Sequence, residues 1–314
     1  MVPSIQRHCR PKERPMADSC PILIASDLSD ASEVAVTRAM QLAARRGCPL
    51  TALHVIQEEP LWWVVKSRDL DPDDLRAELL REALAGLQSQ LKDAAGQLAI
   101  EPPESDAQAR LGKPAAVASE MAASMEASLI VVGAHGRHAV RDWFIGTTAE
   151  KVVRAGNVPV LVARVEPTHS YQKVVVAVDF SESSRAALAA ALAWAPRAQF
   201  TLVHAYETWF ETYLDADTYE RLRDEQEQAL HDRLREFAHE VGVNSDHEPD
   251  YRIIAGHPGT AVVDAAVNAH GDLTVCGTQG ETGLRHLLLG SVAQHILRES
   301  KGDVLTVRAG HTTG

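Results

Sequence analysis

Apolar residues along this chain alternate between two patterns. Short continuous runs, such as residues 21–26, 50–56, 129–132 and 158–162, read as strands buried on both faces. Between them lie stretches with apolar residues at every third or fourth position, as on one face of a helix. Val34, Ala35, Ala39 and Leu42 mark a first helix, started by Ser29 or Asp30 and ending near Ala44. Leu75, Leu79, Leu80, Leu84, Leu87 and Leu91 mark a longer one reaching about Leu98, with Asp71-Pro72-Asp73-Asp74 as its start signal. A weak third strand near Gln108–Leu111 leads through Gly112-Lys113-Pro114 into an alanine-rich helix, and Pro102-Pro103 separates this strand from the helix before it. Strands alternating with helices imply parallel pairing in a doubly wound α/β sheet.

The order then repeats. Val174 to Val178 runs into Asp179-Phe180-Ser181 as the first strand ran into Asp27-Leu28-Ser29, and the Phe200 to His204 strand matches the one ending at His54. A charged helix from about Thr218 to Val241 follows, with Leu222, Leu230, Leu234 and Phe237 inward, and Gly256-His257-Pro258 matches Gly112-Lys113-Pro114. The early offset is 179 − 27 = 152 and the late one 277 − 133 = 144, so the first copy carries eight extra residues, expected around 58–71 and the following helix. The chain divides into a tail (1–19), a first domain (20–165), a polar linker (166–171), a second domain (172–309) and a short tail (310–314).

A length of 314 residues suits two domains of ordinary size. The formal charge of −12 argues against a nucleic-acid binder, which needs a basic face. No apolar run approaches the ~18–20 residues of a membrane span. The basic residues Arg7, Arg10, Lys12 and Arg14 lack the apolar centre of a secretory signal, so the first tail is expected to be disordered and the protein cytoplasmic. Cys9, Cys20, Cys48 and Cys276 show no Cys-x-x-Cys spacing; neither a zinc site nor a disulfide framework is expected.

The candidate chemistry lies where the fourth strand of each copy ends. Leu129-Ile130-Val131-Val132 leads into Gly133-Ala134-His135-Gly136, nine residues, then Gly146-Thr147-Thr148 at a helix start, which Thr147 or Thr148 is placed to cap. The second copy reads Gly277-Thr278-Gln279-Gly280, nine residues, then Gly290-Ser291. Glycines admit a ligand close to the backbone, and the free N–H groups of a helix start favour an anion, so phosphate is the natural occupant. Ligands of open parallel sheets sit beyond the carboxyl ends of the strands, where strand order reverses. There Asp27 would face Gly133 across one crevice. Neither Gly-x-x-x-x-Gly-Lys-Ser/Thr nor Gly-x-Gly-x-x-Gly occurs.

The doubled Gly-x2-Gly-x9-Gly-Ser/Thr pattern, the Asp after strand one and Leu53-His54-Val55 at strand two resemble the universal stress proteins, in the tandem form. The resemblance covers residues 20–309. It implies a five-stranded sheet of order 3-2-1-4-5 in each half, with ATP or another adenine nucleotide, with or without Mg, in each crevice. By position Asp27 and Asp179 face the nucleoside, and Val55 and Ala205 present backbone to adenine. Gly133, Gly136, Gly146, Thr147 and Thr148 wrap the phosphates in one half, and Gly277, Gly280, Gly290 and Ser291 do so in the other. It also implies that 158–162 and 304–307 pair within the chain as a pseudo-dimer, leaving a homodimer open. Gly302-Asp303 stands where the first half, like the family, has a proline, which puts the local turn in question.

Plainer readings stand beside these. The glycines could serve strand–helix packing alone, Asp27 and Asp179 could cap the next helix, and His54 and His204 are expected to be packed or hydrogen-bonded. Arg141 and Arg285 are expected to be solvated, and His135, His138 and His169 are too dispersed to expect a metal. No catalytic residue and no metal ligand is assigned. A nucleotide-dependent stress-response module is the favoured reading; a slow ATPase on the same site or a ligand-free scaffold are the alternatives.

Overall fold

The computed structural model of the chain describes residues 20–57, 71–134, 146–207, 215–243, 248–279 and 289–310. The first half runs β1 (Ile22–Ala25), α1 (Asp30–Arg46), β2 (Leu50–Ile56), α2 (Pro72–Leu98), β3 (Ser105–Leu111), α3 (Pro114–Ser124), β4 (Leu129–Gly133), α4 (Thr147–Ala155) and β5 (Val160–Ala163). The second runs β6 (Lys173–Ala177), α5 (Glu182–Trp194), β7 (Gln199–Tyr206), α6 (Ala216–Val241), β8 (Asp250–Ala255), α7 (Pro258–Asn268), β9 (Leu273–Gly277), α8 (Ser291–Glu299) and β10 (Asp303–Val307). Strand order is β3-β2-β1-β4-β5-β10-β9-β6-β7-β8. Each half therefore has the order 3-2-1-4-5, and the halves merge into one ten-stranded sheet. The joint is the antiparallel pair β5/β10, centred on Leu161↔Leu305; the other pairs are parallel. The intramolecular pairing implied by the family resemblance is present.

Alternation along the strands separates two cores, one on each face. Ile22, Ile24, Leu129 and Val131 pack with α1, α2, α5 and α6. Leu23, Ile130 and Val132 pack with α3, α4, α7 and α8. Both cores take residues from both halves, which makes the molecule doubly wound throughout.

The strand register also locates the eight extra residues. His54 and His204, equivalent in their bonds to the strand beside them, are 204 − 54 = 150 apart. The N-caps of α2 and α6, Asp71 and Asp215, are 215 − 71 = 144 apart. Two of the eight thus precede β2, six lie between β2 and Asp71, and none is in α2. Other boundaries move by a turn or less: α1 continues to Arg46 and β3 begins at Ser105.

One expectation is overturned. Cys20 and Cys48 form a disulfide across a Cα–Cα distance of 5.3 Å. The pairing follows from the register: Ile22 lies opposite Leu50, an offset of 28, and 48 − 20 is the same 28. Two cysteines placed just before adjacent parallel strands become neighbours without any short sequence motif. Cys276 is buried, and burial, with the charge of Asp179 adding to it, pushes its thiol up to about 12, so it stays protonated at neutral pH.

The stretch expected as a polar linker is anchored at the joint, and Asp303 is the anchor. Fully buried, its Oδ2 accepts from Arg38 Nε at 2.9 Å and from the Tyr171 hydroxyl at 2.6 Å. Its Oδ1 accepts from the backbone N–H groups of Arg164 at 2.7 Å and Val165 at 3.2 Å. Arg38 stacks over the Tyr171 ring at 4.4 Å and donates to Gln41 Oε1 and the His169 carbonyl. Burial and the Asp303 carboxylate hold the Tyr171 phenol well above its ordinary range. Gly302 fits because a Cβ there would lie 3.0 Å from the Asp272 carbonyl oxygen.

Candidate functional site

The candidate site is built at the carboxyl end of β1 and, identically, of β6. In each half the chain leaves the strand through a carboxylate and then a bulky residue in the left-handed region: Leu28 at φ 61° after Asp27, Phe180 at φ 64° after Asp179. That conformation is costly for such side chains and persists only where the surroundings enforce it. Here it swings the next residue back to cap the helix. Ser29 accepts from Ser32 N and completes a capping box on α1, and Ser181 accepts from Ser184 N on α5. Asp27 Oδ1 in turn accepts from Ser29 N at 3.1 Å and from the Ser29 hydroxyl. Asp179 Oδ1 does the same with Ser181 N at 3.0 Å and Oγ at 2.5 Å. The aspartates are therefore braces for the capping serines rather than caps themselves. Sequence analysis missed the left-handed pair, though its signal, a bulky residue between Asp and Ser in both copies, was readable.

His54 and His204 fix the neighbouring strand. Each Nδ1 lies 2.8 Å from a carbonyl oxygen, Ser26 and Val178 respectively, which requires the proton on Nδ1. Val55 and Ala205, the next residues, are half-buried near the strand ends. In the first half only, the buried Ser26 hydroxyl donates to Gln90 Oε1 of α2 at 2.7 Å and accepts from Leu28 N. The second half instead sets Phe180 against His204, 4.5 Å apart between ring centroids with the rings tilted, and places Arg233 over the Phe180 ring at 4.0 Å. The two halves share a backbone and differ in their walls.

The fourth strand of each half lies directly beside the first: Ala25 is level with Val132, and Val176 with Val275. This is the point where strand order reverses, and it sets side by side the strand ends followed by Asp27 and ending in Gly133, and likewise those of Asp179 and Gly277. The reason for these two glycines is packing. A Cβ on Gly133 would sit 2.8 Å from the Ala31 carbonyl oxygen, and one on Gly277 would sit 2.8 Å from the Ser183 side chain and 2.9 Å from its carbonyl carbon. The first turn of the capped helix lies against the strand end, and no side chain fits between. Gly133→Ala is expected to lower stability by about 1–3 kcal/mol through this overpacking, read from urea unfolding. A loss below about 0.5 kcal/mol would mean that the helix can move away.

Beyond these glycines a backbone hydrogen bond joins the residue after each fourth strand to the glycine before the next helix. Gly146 N–H donates to the Ala134 carbonyl at 2.7 Å, and Gly290 N–H to the Thr278 carbonyl at 2.9 Å. Both glycines are the N-caps of the short helices α4 and α8, and neither supplies a side-chain hydrogen bond. The sequence expectation that Thr147 or Thr148 caps α4 is corrected: both are inside the first turn and exposed, as is Ser291 in α8. The helices α1, α2, α5 and α6 all start on a serine or aspartate that accepts a backbone N–H. Among the described residues the other four, α3 and α7 starting after Lys113 and His257 and α4 and α8 starting after glycine, have no side-chain cap, and of these α4 and α8 follow the fourth strands. Gly136, Gly280, Arg141, Arg285, His135 and His138 lie outside the described residues. His169 is exposed and bonds the Ser170 carbonyl, and among the described residues no group of three metal-ligating side chains forms. Among the described residues, two clefts between α2 and β3 are lined by Leu80, Leu84 and Arg110 and by Met40, Leu91 and Lys92, and none of these is a candidate site residue. Among the described residues no helix is long and apolar enough to cross a membrane.

A doubled 3-2-1-4-5 sheet with a glycine-flanked loop after each fourth strand defines a tandem α/β protein of the universal stress type. The Universal stress protein family matches residues 21–164 and again 170–308, and the chain belongs to that family. Universal stress protein Rv2005c of Mycobacterium tuberculosis is 25% identical over 300 residues, spanning 91% of this chain and 96% of that protein. Among solved structures, a universal stress protein from Archaeoglobus fulgidus covers 94% of this chain and 100% of its own, with a TM-score of 0.65 at 19% identity. A functionally unknown protein, PA1789 of Pseudomonas aeruginosa, covers 93% of each chain with a TM-score of 0.63 at 18% identity. At these identities the structural likeness speaks for the fold.

Proposed function

We propose that each half binds an adenine nucleotide, ATP by preference and with or without Mg, and that the chain acts as a nucleotide-dependent stress-response module. The observation carrying this reading is the pair of glycine-started helices without a side-chain cap among the described residues, Gly146 on α4 and Gly290 on α8, each fastened by its own N–H to the carbonyl of the residue that follows the fourth strand, at the strand-order switch. An anion is what such helix ends lack. The phosphates lie along Gly136, Gly146, Thr147 and Thr148 in one half and Gly280, Gly290 and Ser291 in the other. Gly133 and Gly277 set the direction in which the loop departs. Asp27 and Asp179 face the ribose, and the backbone of Val55 and Ala205 meets the adenine.

Gly290→Val separates binding from folding. Among the described residues, a Cβ at Gly290 meets only the Thr278 carbonyl oxygen, at an ordinary 3.5 Å. The cost in stability is expected to stay below about 1 kcal/mol, the loss of a tolerable N-cap. ATP bound per chain, counted by calorimetry, is expected to fall from two to one. Two molecules still bound would remove the phosphate from this helix end. Phosphate release over time from the wild-type chain separates simple binding from slow hydrolysis.

A further inference from the structure

The two residues that end the central strands are arginines, Arg164 after β5 and Arg308 after β10, and 308 − 164 is the repeat offset of 144. Each reaches out of its own half. Arg164 Nη2 donates to the carbonyl of Leu297, in the last turn of α8. Arg308 Nη2 donates to the carbonyl of Arg154, in the last turn of α4, at 2.8 Å. The exchange is reciprocal: each half holds the C-terminal end of the helix whose N-terminal end faces the other half's crevice. A guanidinium suits that place, since the last carbonyls of a helix are unpaired and carry its negative pole. Among the described residues, both arginines also have a buried Nε with no hydrogen-bond partner, so each grip is not a full bidentate clamp. Such a contact can re-form when the helix shifts. A helix of nine residues moves as a rigid piece, so a displacement at Gly146 reaches Arg154.

We infer that this crossed pair of arginines couples the two crevices, so that nucleotide taken up by one half alters the last helix of the other. The inference rests on the nucleotide reading above and adds regulation to it. The coupling is also lopsided. The backbone of Arg164 is fastened to buried Asp303, whereas the position equivalent to Asp303 in the first half is 303 − 144 = 159, a proline with no carboxylate to offer. Arg164 is the stiffer of the two links.

The test uses the full chain with Gly146→Val, in which only the second half can take ATP. Calorimetry first confirms one ATP per chain; hydrogen exchange then follows the amides of α4, in the half that binds nothing. ATP is expected to change exchange in α4 by at least about fivefold, the lower range of ordinary allosteric coupling. The change is expected to vanish when Arg164→Met and Arg308→Met are added, and to return in part with Arg164→Lys and Arg308→Lys, which keep a cation at each helix end. One ATP bound with unchanged exchange in α4 would overturn the coupling and leave the sites standing. A response that survives both methionines would assign the coupling elsewhere. No ATP bound by the wild-type chain would instead overturn the nucleotide reading itself.

Discussion

Asp303→Ala is expected to destabilise the chain by about 3–5 kcal/mol, because it leaves a buried cation with no counter-charge. The Arg38 side chain is 5% exposed and stays where α1 puts it. Its Nε loses its acceptor, and so do the Tyr171 hydroxyl and two backbone N–H groups at the end of β5. Four donors depend on one carboxylate, so the loss exceeds that of a surface ion pair, worth about 0–1 kcal/mol. Set against a typical total of about 5–15 kcal/mol, the variant should melt far below the wild type. Urea unfolding is the measurement. Adding Arg38→Met removes the stranded charge and should recover part of the loss; the remainder belongs to Tyr171 and the two amides. A single-variant loss below about 1 kcal/mol would show that Arg38 escapes to water.

Reduction of Cys20–Cys48 is expected to cost about 3.5 kcal/mol, the loop-closure entropy of a 28-residue separation in the chain-entropy account. Cys20→Ser with Cys48→Ser should show the same loss without reductant. The effect should fall on the first half, because the positions equivalent to these two in the second half are Gln172 and Ala198. Unfolding followed with and without a dithiol reductant tests this directly. Equal midpoints would mean that the strand pairing at Ile22 and Leu50 already restrains the unfolded chain or that the bridge does not persist in solution. The bridge persists only where the surroundings are sufficiently oxidising, so stability of the first half would depend on them.

Much of the architecture was legible because it depends on periodicity. Strands buried on both faces read as continuous apolar runs, and duplication doubled each signal, so the elements and the repeat followed; strand order and the central pairing came only with the family resemblance. The aspartates and glycines at the strand ends stood out for the same reason. Other features depend on neighbours distant in sequence. Gly133 looks like a ligand glycine until Ala31 is known to press on it. Asp303 looks like a misplaced turn residue until Arg38 and Tyr171, far earlier in the chain, arrive at its two oxygens. The Cys20–Cys48 bridge required the register of β1 on β2, which composition does not encode. The cap of α4 was misjudged because a threonine hydroxyl can accept a backbone N–H and glycine has none to offer; here the glycine takes the cap position and supplies no side-chain bond.

The antiparallel joint between β5 and β10 has a consequence for how such a chain can diverge. In a dimer of identical subunits, the dyad presents every residue near the axis twice, so an acid placed there meets its own duplicate. Joining both subunits in one chain releases that constraint: a substitution on one side is no longer copied to the other. Asp303 uses this freedom, having Arg38 as its partner while Pro159 occupies the mirror position. Fusion turned a symmetric seam into one whose two sides can be selected separately, and the crevices on either side of it can specialise in the same way.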